Sequence, residues 1–419
     1  MSFDKKNGKA EPCLAPYDHR ELNNEHEYYH FDEAIGAGLP LWLPAGAVIR
    51  EELEKLMKEL EFLGGYQRVS SPHIAKEELY KQSGHLPYYA DSMFPAMELE
   101  NLSYRMRPMC CPHHHKIFSM RLRSYRELPL RLAEYGQVYR YELSGALSGL
   151  MRVRGLCQND AHIYCRVSQV KDEIKKVFEM YQEAYRVLGI SKYKLRLSKW
   201  NPDDPSSKFV ANPEKWVWAE QVLREILDEN GWPYEEAPGE AAFYGPKIDI
   251  QISYGNGKEE SVSTVQLDFS SAERMDLSFI NEEGQQERPL IIHRAPLGSH
   301  ERFVAFLIEH YRGAFPLWLA PEQVRIVPIG DRHHEYAEKL RLLLHNAFVR
   351  VSVDERVESL SKKVAEAWAA KVNRVIVIGD REVEENQISV QERGGKEKIK
   401  MNPEEFREQM LLQIKDRKI

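Results

Sequence analysis

The sequence predicts a mixed α and β fold that is divided into two parts of unequal size. Residues 1–318 carry long helical segments and alternating strands. In residues 319–419, short apolar runs alternate with amphipathic segments, which is the pattern of a compact α/β domain of about 100 residues. The pattern changes near the proline-bounded segment 316–321, so we place the domain boundary there.

In the larger part, residues 1–35 have no clear period and are expected to form an irregular lead-in. Apolar residues at helical spacing predict a helix over 48–63, which Gly64 and Gly65 end, followed by a strand that stops at Pro72. The other expected elements are two strands within 129–166, helices over 168–188, 213–229 and 303–311, and strands over 243–254 and 261–269.

The smaller part shows a regular alternation of short β runs and helical segments. The expected strands cover 324–328, 349–353, 375–378 and 388–391, and the expected helices cover 336–347, 361–372 and 404–414.

Composition indicates an ordinary globular protein, with 42% hydrophobic and 29% charged residues. We find no apolar run of about 18 residues, so no membrane span is expected. The N-terminus lacks the apolar segment of a secretory signal.

Five cysteines in a chain of this length do not make a disulfide framework, and they fit a reducing compartment such as the cytoplasm. The net charge of −7 argues against bulk nucleic-acid binding and leaves room for a local basic face.

One cysteine and two histidines stand out because each lies in a dense motif far from the others: Cys111, His162 and His293. Thiolate and imidazole suit Zn²⁺, and three protein ligands leave the open fourth position that a substrate-binding zinc needs. The run 110–115 (Cys-Cys-Pro-His-His-His) could instead form a local cluster, although three adjacent histidines on one element cannot all point at one ion. Sequence spacing alone does not join the three distant residues.

Six segments, in order, closely resemble those of threonyl-tRNA synthetases. They are RPMCCP (107–112), SYRELPLRLAE (124–134), YRYELSG (139–145), GLMRVRG (149–155), AFYGPK (242–247) and LGSHER (297–302). The resemblance covers nearly the whole chain from about residue 17 onward. It implies an α+β class II catalytic domain with an antiparallel sheet flanked by helices, followed by a small α/β anticodon-binding domain.

The same resemblance implies an activity and an assembly. Members of the family activate threonine with ATP, which binds together with Mg²⁺, and so form threonyl-adenylate. They then transfer the threonyl group to the 3′ end of threonine tRNA. The helix over 48–63 and the strand ending at Pro72 correspond to a motif at a homodimer interface.

For metal binding, the resemblance assigns Cys111, His162 and His293 to one Zn²⁺ per subunit, which holds threonine through its amino group and hydroxyl. A metal that requires a hydroxyl ligand rejects valine, whereas an apolar pocket separates such isosteres only about 10²-fold. Asp160 matches the residue that accepts a hydrogen bond from the threonine hydroxyl.

For ATP, the resemblance assigns Arg140 to the α-phosphate, where a planar guanidinium stabilises developing negative charge. Arg302 and Arg152 match contacts to the other phosphates and the nucleotide. Glu142 matches the acceptor for the adenine amino group, and Leu156 lies where a side chain packs on the base.

Four further positions match residues of the family's active site. Gln158, Tyr244 and Lys247 correspond to substrate-binding positions. His85, in the segment 83–85 (Ser-Gly-His), corresponds to a histidine proposed to help deprotonate the terminal tRNA ribose. The alternative for His85 is an ordinary histidine in a surface loop.

Some positions depart from the family pattern. In the catalytic domain, Cys110 replaces a usual Asn, Leu156 stands where an aromatic or other apolar residue commonly packs on adenine, and Ser261 stands where some members have Gln. These departures are expected to be tolerated because the metal ligands and phosphate arginines remain. In the anticodon domain, Val357 replaces a usual Asn and Gln391 a usual Arg, while Glu382 is retained. Because Asn and Arg read base edges, their loss is expected to relax or alter anticodon discrimination.

Full-length relatives commonly carry separate N-terminal domains, one of which hydrolyses seryl-tRNA. This chain starts at the catalytic domain, so we expect it to make some seryl-tRNA and not to clear it. Two alternatives remain open at this point. One is a paralogue that delivers its amino acid to another tRNA or acceptor, and the other is a non-catalytic regulator that binds tRNA-like RNA.

Overall fold

The computed structural model describes residues 18–203, 208–254, 257 and 259–419. The larger part is built on an eight-stranded sheet that is antiparallel except for the parallel pair at each edge. In spatial order its strands are Tyr234–Pro238, Lys194–Lys199, Lys247–Ser253, Glu259–Asp268, Leu290–Ala295, Gly155–Cys165, Leu130–Tyr139 and Gln67–Arg68. The antiparallel sheet that the sequence led us to expect is therefore confirmed.

One face of this sheet is covered by long helices. Their bounds are Pro44–Leu63, Val170–Val187, Pro213–Glu229 and His300–Tyr311. In Val170–Val187 the buried residues recur at helical spacing, for example Ile174, Val177 and Tyr181, and they join the main apolar cluster with Ile163 of the sheet. The other face carries a smaller apolar cluster at one end, which includes Leu130, Leu132, Tyr164 and Ile291, and polar side chains beyond it.

Smaller elements surround the large sheet. The short helices are His19–His26, Glu77–Gln82, His85–Tyr89, Cys111–Ser119 and Ser271–Arg274. The short strands form three small sheets: Tyr29–His30 with Leu41–Trp42; Ile74–Lys76, Met97–Leu99 and Leu102–Met106; and Arg123–Ser124, Phe279–Ile280 and Gln286–Glu287.

The expectation of an irregular lead-in over 1–35 is wrong where the structure describes it; residues 1–17 lie outside the described residues. The helix His19–His26 forms because the Asp18 carboxylate accepts a hydrogen bond from the backbone N–H of Arg20 at 2.8 Å and so caps its first turn. This helix is too short to show a clear period in sequence.

The smaller part is a five-stranded sheet with helices, and its α/β pattern was expected. The strand Lys398–Met401 and the helix Asp380–Glu385 were not predicted. In spatial order the strands are Val351–Val353, Val324–Pro328, Arg374–Ile378, Ile388–Glu392 and Lys398–Met401, the first three parallel and the rest antiparallel. Its helices are His334–His345, Leu360–Ala369, Asp380–Glu385 and Pro403–Lys415.

Two arginines connect the smaller part to the long helix Pro44–Leu63. Arg350 donates to the Glu52 carboxylate at 2.9 Å, and Arg417 pairs with Glu59 at 2.7 Å. The two parts therefore meet along this helix. No helix among the described residues is both long and apolar enough to cross a membrane.

Candidate active site

The polar face of the large sheet owes its chemistry to the alternation along Gly155–Cys165. Successive side chains of a strand point to opposite faces, so Gln158, Asp160 and His162 share one face. Ile163 turns the other way and enters the apolar core. The sequence spacing of these three polar residues thus follows from the period of a strand.

The sheet register brings the predicted metal ligands together. His293, on the neighbouring strand Leu290–Ala295, is the direct cross-strand partner of His162. Cys111 lies at the first residue of the helix Cys111–Ser119. One ligand atom from each of the three buried side chains lies within 4.8 Å of the others, a spacing suited to a single ion.

A layer of hydrogen bonds orients both histidines. Nδ1 of His162 lies 2.8 Å from Nδ1 of His114, and Nε2 of His114 lies 3.0 Å from the Glu134 carboxylate. On the other side, Nε2 of His293 donates to the Asp268 carboxylate at 2.9 Å. Such outer partners fix the tautomer and the orientation of metal-binding imidazoles.

The donor atoms fit a zinc ion. Nε2 of His162 is buried and has no hydrogen-bond partner among the described residues, so a metal would satisfy it. Burial, reinforced by the charges of Asp160 and Asp268, raises the pKa of the Cys111 thiol well above its usual range. A bound cation reverses that preference because it deprotonates a coordinating thiol.

The alternative of a local cluster within 110–115 does not form among the described residues. Adjacent helical residues point about 100° apart. His114 accordingly faces His162, whereas Nδ1 of His115 lies 2.9 Å from the Tyr164 hydroxyl.

Two of the three predicted ligands, Cys111 and His293, line a cavity of about 290 Å³. The Tyr244 ring stacks on the His293 ring with centroids 4.6 Å apart, and its hydroxyl donates to Gln266 at 2.5 Å. Burial raises the pKa of Asp160. Predicted site residues that line this cavity are Cys111, Arg140, Gln158, Asp160, Tyr244 and His293.

A second cavity of about 280 Å³ adjoins the first, because Arg140 and Gln158 line both. At its wall, Arg302 donates to the backbone carbonyls of Met151 and Ser261 at 3.3 and 3.2 Å. Predicted site residues that line it are Arg140, Glu142, Arg152, Leu156, Gln158, Lys247 and Arg302.

The cations of the second cavity differ in how they are neutralised. Arg152 donates to the Glu142 carboxylate at 2.8 Å, and Lys247 pairs with Asp249. Arg140 forms no ion pair with any residue that the structure describes, and donates only a long hydrogen bond to a backbone carbonyl. Arg302 likewise forms no ion pair with a described residue, but it donates to two backbone carbonyls, so Arg140 is the less engaged of the two.

His85 is not the exposed loop histidine of the alternative interpretation. It begins the helix His85–Tyr89 and is only 3% exposed. Its Nδ1 lies 2.9 Å from the Ser83 hydroxyl, whereas the buried Nε2 has no partner among the described residues. Burial lowers the pKa of His85 to about 3, so the ring is neutral near pH 7.

In the smaller domain, the retained Glu382 is already engaged. Its carboxylate accepts the Gly379 N–H at 3.0 Å, which caps the start of its own helix Asp380–Glu385, and it also accepts the Ser389 hydroxyl at 2.7 Å. Val357 is 99% exposed, and Gln391 donates to a nearby backbone carbonyl.

Sequence reasoning missed the residues that support the metal ligands. Glu134 and Asp268 were not singled out, and His114 was considered only as part of a local metal cluster. Thr264 and Gln266, which line both cavities, were not singled out either. A signal was present, because Glu134, Gln266 and Asp268 are polar positions next to the buried apolar residues Ala133, Val265 and Leu267. Nothing in the sequence showed which groups they contact.

Gly245, next to Tyr244, packs so closely that a Cβ added there would overlap the Leu267 carbonyl oxygen. Gly245→Ala should therefore lower the free energy of unfolding by about 1–3 kcal/mol, as overpacking does, and shift the Tyr244 ring. Gly330→Ala is the control, since Gly330 has extended backbone and open space around its Cα. Urea unfolding of both variants tests this, and equal stability would contradict it.

Comparison with known proteins gives two family matches. The description "tRNA synthetase class II core domain (G, H, P, S and T)" matches residues 96–311, and "Anticodon binding domain" matches residues 323–412. The threonine–tRNA ligase of Deinococcus deserti is 49% identical over 90% of this chain, and that of Halalkalibacterium halodurans is 47% identical over 93%. The chain spans only 58% and 60% of the lengths of these relatives.

Solved structures agree in fold. A crystal structure of the RNA-binding domain of threonyl-tRNA synthetase from Cryptosporidium parvum matches with a TM-score of 0.89 and 34% identity, covering 94% of this chain and 98% of that one. A prolyl-tRNA synthetase from the same organism matches with a TM-score of 0.68 at 15% identity, covering 95% and 77%, a likeness of fold alone.

Proposed function

We propose that this chain, which belongs to the threonyl-tRNA synthetase family of class II synthetases, activates threonine with ATP and transfers it to the 3′ end of threonine tRNA. The proposal rests on one observation: a cavity bordered by metal-ligand side chains joins a second cavity at Arg140 and Gln158. Activation needs such a junction, because the carboxylate of the amino acid must meet the α-phosphate of ATP.

We propose that Cys111, His162 and His293 hold one Zn²⁺ per subunit. When bound, the ion would take the amino group and the hydroxyl of threonine as ligands and so exclude valine. Asp160 would accept the hydrogen bond of that hydroxyl from its position beside His162. Tyr244 would keep the His293 ring in place through the stacking described above.

In the activation step, the threonine carboxylate attacks the α-phosphate and pyrophosphate leaves. Arg140 would stabilise the negative charge that develops on the α-phosphate oxygens. Arg302 and Arg152 would hold the remaining phosphates of ATP, which enters with Mg²⁺. Glu142 would accept a hydrogen bond from the adenine amino group, and Leu156 would cover one face of the base.

For the transfer step, we propose that His85 accepts the proton of the terminal ribose hydroxyl. Ser83 engages Nδ1, and the buried Nε2 is the nitrogen left to accept a proton. Gln158 and Lys247 are proposed as substrate contacts, since Gln158 lines both cavities and Lys247 the second.

The smaller domain, which we delimit as 319–419 after a catalytic part over 1–318, is proposed to contact the anticodon. Glu382 is the proposed contact residue. Because each of its carboxylate oxygens already accepts one hydrogen bond, a base would have to use a remaining lone pair.

We further propose a homodimer through the helix Pro44–Leu63. Phe62 and Leu63, at its end, are 81% and 82% exposed, and a second copy would cover them. Buried free thiols at Cys110 and Cys111 fit a reducing compartment, and the cytoplasm is the compartment we propose.

ATP–pyrophosphate exchange with threonine, serine or valine, followed by charging of threonine tRNA, tests the proposal. We expect exchange with threonine and serine but not with valine, then charging, with seryl-tRNA accumulating under excess serine. Cys111→Ser should abolish exchange, whereas Cys165→Ser, another buried thiol, should not. If the zinc-loaded protein supports no exchange, the enzyme interpretation fails and a binding role remains.

A second candidate function is a paralogue that charges a different tRNA or acceptor. The fully exposed apolar Val357, in the anticodon domain, favours it because an apolar side chain cannot read a base edge by hydrogen bonding. Threonine-dependent exchange without charging of threonine tRNA would identify this function.

A further inference from the structure

We propose that Glu54, Cys157 and His300 form a second Zn²⁺ site, separate from the site at Cys111. One ligand atom from each of these three side chains lies within 4.8 Å of the others, the same spacing that joins Cys111 to His162 and His293. Carboxylate, thiolate and imidazole are all zinc ligands in proteins.

His300 provides the strongest indication of a missing ligand. Its side chain is fully buried, yet neither ring nitrogen has a hydrogen-bond partner among the described residues. Its Nδ1 lies 3.6 Å from the Glu54 carboxylate, which is too long for a hydrogen bond. A buried polar group without a partner is costly, and coordination to an ion would remove that cost.

The proposed site lies on the face of the sheet opposite the catalytic cavities. Cys157 alternates with Gln158 along the strand, so it points away from the substrate cavities and towards the helices. Glu54 comes from the helix Pro44–Leu63, and His300 begins the helix His300–Tyr311. An ion here would cross-link both helices to the strand that carries Gln158, Asp160 and His162.

The surrounding charges suit a divalent cation. Arg50 donates to the Glu54 carboxylate at 3.4 Å, and the Glu301 carboxylate accepts the Cys157 N–H at 3.0 Å. With the Cys157 thiol deprotonated by the metal, two carboxylates and one thiolate give three negative charges. Arg50 and one Zn²⁺ offset these three charges, and the part-exposed Lys58, which pairs with Glu54 at 3.1 Å, adds one further positive charge.

A third cluster shows why spacing alone is not enough. Asp18, His19 and Glu309 satisfy the same distance criterion. In that cluster, however, Nδ1 of His19 lies 2.9 Å from the Glu309 carboxylate, and Nε2 accepts the Leu150 N–H at 3.2 Å. Both nitrogens are used, so ordinary hydrogen bonds account for this cluster, in contrast to His300.

Zinc content of the purified full-length chain, measured by mass spectrometry after exhaustive dialysis, tests the proposal. We expect two zinc ions per chain in the wild type, one in Cys157→Ser and one in Cys111→Ser. Cys165→Ser is the matched control, since Cys165 is a fully buried thiol on the same strand and belongs to no metal-ligand cluster of the described residues; it should keep two. One zinc in the wild type, or no loss in Cys157→Ser, would overturn the proposal.

Cobalt(II) titration of Cys111→Ser gives a second readout that does not depend on enzymatic activity. A thiolate–cobalt charge-transfer band should appear in the near ultraviolet. It should be absent from the double variant that combines Cys111→Ser with Cys157→Ser. His300→Gln serves in place of Cys157→Ser if the double variant does not fold, as judged by circular dichroism. Absence of the band in folded Cys111→Ser would refute a second thiolate-bound metal.

Discussion

Replacing Arg140 with alanine is expected to lower the rate of threonine-dependent ATP–pyrophosphate exchange by about 10²–10³-fold, mainly through kcat. Arg140 lines both cavities at their junction, and it forms no ion pair within the described parts of the chain. A guanidinium that has no counter-charge beside a polar cavity is preorganised for an anion. Its removal should therefore slow the step in which negative charge develops on the α-phosphate more than it weakens substrate binding.

Arg140→Lys distinguishes geometry from charge. Lysine restores one positive charge but not the planar set of donors, so we expect it to recover only a small part of the rate. Arg121→Ala, which removes an exposed arginine paired with Glu127, should leave exchange unchanged. The Arg140→Lys and Arg121→Ala variants should both keep the zinc content of the wild type. If Arg140→Ala retained more than about a tenth of the exchange rate, the α-phosphate would have to be held elsewhere.

Elements with local signals could be predicted from the sequence. The helix Pro213–Glu229 has the predicted bounds, because Asn212 caps its start, Pro213 takes its first turn, and Asn230 and Gly231 follow its end. In the C-terminal domain, four strands and three helices were also predicted to within a few residues, whereas the strand Lys398–Met401 and the short helix Asp380–Glu385 were not. Each of these elements depends on periodicity and on end residues that lie next to one another in the chain.

The strand that carries His293 was not predicted. In Leu290–Ala295 the residues 290–292 are consecutive apolar residues, and they do not alternate because the strand is central and buried. Its pairing with His162, 131 residues away in the chain, is a property of the sheet register. No local pattern encodes that register, so only the family resemblance joined the metal ligands in advance.

The three adjacent histidines illustrate the same limit. The sequence offered a local metal cluster or unrelated roles, and it could not assign directions to the side chains. The helix Cys111–Ser119 sends His114 to Glu134 and His115 to Tyr164. These partners come from strands that pack against the helix, so the roles of His114 and His115 depend on tertiary contacts that a single sequence does not show.

Glu134 is the second position where a large effect is expected. Its buried carboxylate accepts hydrogen bonds from Arg107 at 3.1 Å, from the Ser71 hydroxyl at 2.7 Å and from His114 at 3.0 Å. Removal of one partner from a buried ion pair leaves the other charge uncompensated. Glu134→Ala should therefore lower the free energy of unfolding by about 3–5 kcal/mol, chiefly because Arg107 loses its counter-charge.

The same change should weaken the proposed zinc site. Glu134 holds His114, which in turn faces Nδ1 of His162, and loss of such an outer partner typically costs about 10–100-fold in metal affinity. Competition with a chromophoric chelator measures that affinity, and urea unfolding measures stability. Glu98→Ala, which removes an exposed carboxylate, should change stability by less than about 0.5 kcal/mol. A Glu134→Ala variant with wild-type stability and zinc affinity would contradict the assigned role.

The pH dependence gives an independent check with a definite sign. Burial raises the pKa of Glu134, but hydrogen bonds from His114 and Ser71 and the charge of Arg107 outweigh it, so the pKa falls to about 2. A folded pKa below the unfolded value means that the carboxylate stabilises the fold fully above the unfolded pKa. This contribution is lost as pH falls from about 4.5 towards about 2. With metal removed by chelator, the stability difference between wild type and Glu134→Gln should therefore be constant from pH 7 to about 5 and shrink below that.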